Sequence, residues 1–199
     1  MKKFLLATLA VLALVGCGSG KQDPLTSAIS DKMAESVAQM SGGALNPADV
    51  KVAIQRIEEV GSSTLGAELD RRYDVFVTKE KVARKSYEKF SAKGMFTNAQ
   101  KQLETIEKAK NFQMQVSDLK EKLAAQADSV IFRDYRFTAV ATTPDGSKVE
   151  AKDYYAAVTP DFRVIAITPD TKALHRGTGS AIPGYSAIFG DEDEEPAEE

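Results

Sequence analysis

Ten apolar residues, Ala99, Leu103, Ile106, Ala109, Phe112, Val116, Leu119, Leu123, Ala127 and Val130, recur about every 3.4 residues. No other feature restricts the fold of this chain as strongly. The period is that of a coiled-coil seam more than of a straight amphipathic helix. Thr97-Asn98-Ala99-Gln100 reads as a capping box at its start, and Glu104–Lys108 and Asp118–Lys122 place opposite charges four apart on the outer face. Leu65, Leu69, Tyr73, Phe76, Ala83, Tyr87 and Phe90 predict a preceding helix from Leu65 to about Phe90. Alternation over Tyr73–Thr78 offers a competing strand, but helix formers flank it on both sides. The connector Lys93–Phe96 is short, so the two segments predict an antiparallel helical hairpin with arms of ~40 Å.

Two further helices are expected upstream. Asp23-Pro24 supplies an N-cap and a first-turn proline. Leu25, Ile29, Met33, Val37 and Met40 form one stripe, ended by Ser41-Gly42-Gly43. Asn46-Pro47 repeats the start signal, with Asp49 in the first turn. Val50, Ile54, Ile57 and Val60 supply a buried side, Gly61 a stop, and Ser62, Ser63 or Thr64 the next cap.

Downstream the period changes to two. Phe132–Thr142, Lys148–Val158 and Phe162–Thr168 read as strands, separated by Thr143-Pro144-Asp145-Gly146-Ser147 and Thr159-Pro160-Asp161. The expected class is α+β: N-terminal helices including the long hairpin, then a three-stranded antiparallel meander covered by the long helices. A helix followed by such a meander is similar in element order to the cystatin and NTF2-like layouts, and that order transfers no functional residue. The expected organisation is a signal segment at 1–16, a tether at 17–22, one α+β domain at 23–170, an irregular strap at 171–190 and a disordered acidic tail at 191–199.

Residues 1–20 carry the address. Lys2 and Lys3 precede the uncharged run Phe4–Val15, which is shorter than the ~20 residues of a membrane span. The adjoining Leu14-Val15-Gly16-Cys17 resembles the lipobox of bacterial lipoproteins. That resemblance implies cleavage between Gly16 and Cys17 and acylation of Cys17 with palmitate-type chains. Gly18 stands where an Asp would signal inner-membrane retention in that family, so the implied address is the cell envelope, at the outer membrane if the cell has two. Cys17 is the only cysteine, which leaves no even set for a disulfide framework.

Charge and motifs exclude more than they assign. The net charge is −3, yet the tail holds seven acids and the signal two lysines, so residues 17–190 carry about +2. No nucleic-acid partner is expected. His175 is the only histidine and lies in the strap, Ser86-Tyr87-Glu88-Lys89 matches S-x-x-K without its companion patterns, and Glu104 and Glu107 read as a solvated helix face. Asp134 and Asp153 are the carboxylates considered for a glycan hydrolase. No catalytic, metal or cofactor site is expected. The segment Lys79–Lys93, six cations against two acids, is a candidate for anionic lipid or for the acidic tail. Tyr135, Phe137, Tyr154, Tyr155 and Phe162 form an aromatic group for the core or for a partner. The leading expectation is a non-enzymatic envelope lipoprotein held in membrane lipid through Cys17, binding a protein through the hairpin or the aromatic sheet face. Alternatives are a carrier or sensor of a small apolar ligand between sheet and helices, and a two-carboxylate hydrolase.

Overall fold

The computed structural model describes residues 23–190; the expected signal segment, tether and acidic tail lie outside them. Helix α1 spans Pro24–Met40. Asp23 caps it, Oδ2 accepting from the Thr26 amide at 3.3 Å, and Ile29, Met33 and Val37 form its buried side. Gly42 and Gly43 take φ of +67° and +81° with open space around each, so backbone conformation and not crowding requires glycine there.

The expected second helix is a strand. After a single 3₁₀ turn at Pro47–Asp49, β1 runs Lys51–Thr64 and pairs antiparallel with β2, Val130–Thr142. The helical signal at Ile54 and Ile57 has a different cause. Ile54 lies opposite Ala139 and Ile57 opposite Phe137, while Gln55 is an extra residue in the ladder. This β-bulge moves the side-chain alternation by one, so two residues three apart reach the same face. Val60 sits in a second irregularity and is exposed. The β-branched content of this stretch, read without its spacing, already favours strand.

Strands β3, Lys148–Val158, and β4, Val164–Thr168, complete one antiparallel sheet in the order β1-β2-β3-β4. The fold is α+β, with four strands in place of the expected three. The register sorts its faces. Phe137, Ala139, Ala141, Ala151 and Ala156 point one way, against Ile29, Met33, Ala34 and Val37. Helix α1, not the hairpin, covers this face, and the run of buried alanines lets it approach closely. Asp153 at a φ of +53° marks the bulge that keeps Ala151 and Tyr154 on that same side.

The hairpin is instead a long connection between neighbouring strands. Helix α2, Leu65–Ala92, leaves directly from β1, and α3, Phe96–Lys122, returns through a 3₁₀ turn at Ala124–Gln126 to β2. Thr64 pairs with Val130, Leu65 N donates to Ser129 O at 2.9 Å, and Gly66 N donates to Ala127 O at 2.8 Å. A Cβ at Gly66 would lie 3.2 Å from Ala127 O, so a larger residue would crowd this closure and push the connection back by a few tenths of an ångström. Thr64 is the cap among the three candidates, accepting from Ala67 N at 3.3 Å. The segment Tyr73–Thr78 is helical, with Tyr73 exposed and off the seam. Ala99, Ile106, Ala109, Val116 and Leu119 are the buried seam of α3. Its start differs from expectation: Met95 is the N-cap residue and makes no side-chain cap, so the Thr97–Gln100 box falls inside the helix. Its end comes earlier too, with Ala127 and Val130 belonging to the connection and the strand.

Local carboxylates pin several of these features. Glu80 accepts from Gln113 across the hairpin and from Arg84, both at 2.8 Å, and Gln113 then Arg84 hold its carboxyl below the ordinary range. Hydrogen bonds from Thr143 and Ser147 do the same for Asp145 in the β2–β3 turn, Arg136 and Arg56 for Glu58 on β1, and Thr159 for Asp161. A carboxyl depressed in the folded state contributes stability above its unfolded value and loses it as pH falls through its folded value. The melting temperature is therefore expected to fall as pH drops below ~4. Asp145→Asn should flatten part of that fall when melts are followed by circular dichroism.

Residues 171–190 are ordered. They carry a 3₁₀ turn at Thr178–Ala181 and one helical turn, α4, Tyr185–Phe189. Leu174 packs with Phe132 and Ala157 on the sheet face opposite α1. Ile182, Tyr185 and Phe189 then pack on Leu65, Leu69, Phe76, Val116 and Leu119 at the hairpin base.

Candidate functional site

Three places gather side chains of interest: a buried clamp beneath the strap, a histidine–aspartate contact beside it, and the hairpin's far end. The clamp is built from α2. Leu65, Leu69 and Phe76 give α2 an apolar stripe, and Glu68 and Arg72, four apart, lie on the same side under the strap. Glu68 is fully buried and Arg72 nearly so. Arg72 Nε donates to Glu68 Oε1 at 3.1 Å. Its Nη2 donates to the carbonyls of His175 and Arg176 at 3.1 and 3.0 Å, and to Thr178 Oγ1 at 3.1 Å. Thr178 in turn donates to Glu68 Oε1 at 2.6 Å. Arg71 closes the other side of Glu68 and reaches Ser63 Oγ at 3.2 Å. The guanidinium of Arg72 also lies 5.6 Å from the Tyr185 ring centroid. One charge pair thus ties α2 to a segment more than a hundred residues away, in a setting too dry to leave either charge alone.

His175 is not a loose loop residue. Its ring lies 5.3 Å from that of Phe132, and Nε2 is 3.4 Å from Asp134 Oδ2. Asp134 Oδ1 and His175 Nδ1 are buried without hydrogen-bond partners among the described residues. Gly61 lies across from Asp134, where a Cβ would come within 3.3 Å of Oδ2. An imidazole beside a carboxylate is two members of a triad, but here the contact is a 3.4 Å charge pair with no hydroxyl or thiol nucleophile joined to it among the described residues. The neighbouring hydroxyls are engaged elsewhere: Thr178 on Glu68, Ser63 by Arg71, and Ser180 on Gly177 O.

The other candidates do not converge. Asp134 lies opposite Ala157, whereas Asp153 sits in the bulge near Thr138. Four residues of strand separate the two positions, ~13 Å, beyond the 5–9.5 Å range of paired glycosidase carboxyls. Ser86 is half-buried and Lys89 exposed on α2, and Glu104 and Glu107 are exposed on α3. The aromatic group divides. Phe137 is buried beside Tyr135 and Tyr154 under α1, Tyr155 lies on the opposite face with Phe132, and Phe162 is exposed in the β3–β4 turn at a φ of +64°. Burial and then Glu59 push the Tyr135 phenol above its ordinary range. Cys17 and Gly16 lie outside the described residues.

The hairpin's far end is the exposed feature. Phe96 is 77% exposed and Met95 42% exposed, side by side in the turn between α2 and α3. Gly94 makes that turn at a φ of +68°. Lys93 directly precedes it, and Lys85 and Lys89 on α2 and Lys101 on α3, all exposed, lie along the arms that lead to it.

Among the described residues, no group of three or more His, Cys, Asp or Glu side chains is placed to hold a metal ion, and no helix is long and apolar enough to cross a membrane. No protein-family model matches the chain, and no curated protein or solved structure matches it either.

Proposed function

We propose that this chain is a lipid-anchored envelope protein that works as a non-enzymatic binding or assembly module, holding a partner protein on the end of its helical hairpin. The observation that carries the reading is the pair Met95 and Phe96, solvent-exposed at the end of a long two-helix arm in a chain whose first residues resemble a lipoprotein signal. Large apolar side chains at an exposed turn cost solubility, and an apolar centre with exposed lysines on the adjoining helix turns suits an interface core with a polar rim. The arm is rooted where solvent does not reach. The Glu68–Arg72 clamp and the Phe76 cluster fix its base, so a load at the tip is borne by the sheet. Anchoring rests on Cys17, which the lipobox resemblance makes the acylated residue. Two or three acyl chains would hold the body stably where one would not.

A photo-crosslinking residue at Phe96, expressed in the native cell, tests the partner role. The expected result is a discrete protein adduct that Met95→Asp reduces tenfold or more, with a folding stability change under ~0.5 kcal/mol. An adduct pattern unchanged by Met95→Asp, or equal to that from a crosslinker at exposed Ala125 near the hairpin base, contradicts it.

A further inference from the structure

We propose that the acidic C-terminal segment Asp191–Glu199 is an intramolecular ligand of one lysine-bearing side of the hairpin. The path of the chain carries the idea. Phe189, the last residue of α4, is buried. It stacks on Phe76 at 5.7 Å and meets Phe112 edge-on at 5.2 Å between ring centroids. Each of those rings is flanked by an ammonium group: Lys79 Nζ lies 5.6 Å from the Phe76 centroid, and Lys108 Nζ 5.7 Å from that of Phe112. The chain therefore leaves α4 at Gly190, one residue after a ring that packs on Phe76 and Phe112, each of which carries a cation from its own arm. The nine residues beyond Gly190 include seven acids.

Helical spacing extends the row. Lys79, Ser86 and Lys93 are seven apart and follow one stripe of α2, and Lys101 stands seven before Lys108 on α3. Glu104 and Glu107 are the two acids between those lysines. Glu80 is turned to the other side, where it holds Arg84 and Gln113, so it does not compete for the tail. Length fits as well. Nine extended residues reach ~30 Å, and Lys79 to Lys93 spans ~21 Å of helix. A tethered segment meets this row at millimolar effective concentration, which lets individually weak exposed pairs act together. The tail thereby covers the side of the hairpin that leads to its tip, and a more acidic surface can displace it.

The test uses the chain from residue 17 with Cys17→Ser and Glu195→Cys, a nitroxide on residue 195, and backbone amide NMR. At ~20 mM salt the amides of Lys79–Lys93 and of Lys101–Lys108 should lose about half their intensity, recovering at ~0.5 M salt as the screening length shortens. Lys79→Glu with Lys93→Glu should abolish the effect while leaving the circular dichroism melt unchanged. Broadening confined to residues touching Phe189, or broadening indifferent to salt and to the charge reversals, overturns the proposal.

Discussion

Arg72→Ala is expected to destabilise the chain by ~3–5 kcal/mol, the scale for breaking a buried charge pair by removing one partner. Several losses fall together. Glu68, with no exposed surface, loses its Nε donor and keeps only Arg71 and Thr178. The Arg176 carbonyl loses the guanidinium donor and the His175 carbonyl is left to the Thr178 hydroxyl at 2.9 Å, and an unsatisfied buried acceptor costs ~1–3 kcal/mol. At ~2–4 °C per kcal/mol for a chain of this size, the melting temperature should drop by on the order of 10 °C. The combined change Glu68→Leu with Arg72→Met removes both charges and refills the space, so it should be less damaging than Arg72→Ala alone. Thermal melts of the Cys17→Ser chain decide this. A loss below ~1 kcal/mol would mean that the strap is held by its apolar contacts and that the clamp is incidental.

Phe76→Ala should cost a similar ~3–5 kcal/mol, by a different route. Phe76 is 1% exposed and packs on Phe112 at 4.9 Å and Phe189 at 5.7 Å between centroids, while Tyr185 stacks on Phe189 at 4.2 Å. Removing the ring leaves a cavity at the junction of both hairpin arms and α4. The sheet meets that cluster through half-buried Ile131 at the start of β2, and α1 shares no buried side chain with it. The strap should therefore loosen before the sheet does. Limited proteolysis ought to cut within 171–190 in Phe76→Ala while 23–170 persists. Phe76→Leu, closer in volume, should lose under ~1.5 kcal/mol. Simultaneous digestion of strap and sheet would show that the two clusters unfold as one.

The arms of the hairpin are legible in the sequence because each seam repeats over some twenty-five residues, long enough for the period to outweigh local accidents. β1 is not, because the bulge at Gln55 places Ile54 and Ile57 on one face at a helical spacing. Periodicity alone cannot separate a bulged strand from a helix turn, and composition is the better guide there. The covering of the sheet is hidden for a related reason. Once β1 is a strand, the hairpin becomes an insertion between paired neighbours, and α1 is the element left to lie on the alanine-rich face. Glu68 and Arg72 give no warning, since an i,i+4 pair of opposite charges looks like any solvated helix surface. The one signal is their place in the same stripe as Leu65, Leu69 and Phe76. His175 and Asp134 meet only because residues 171–190 fold back over β2, and no local pattern encodes that return.

The reading of the chain as a tethered module depends first on what happens at Cys17. Intact-mass and N-terminal peptide analysis of the protein isolated from native membranes tests it most directly. The account predicts a mature chain beginning at Cys17, its sulfur carrying a diacylglyceryl group, and a Cys17→Ala chain recovered unacylated and uncut at Gly16. A native chain that begins elsewhere, or begins at Cys17 with a free thiol, would contradict it.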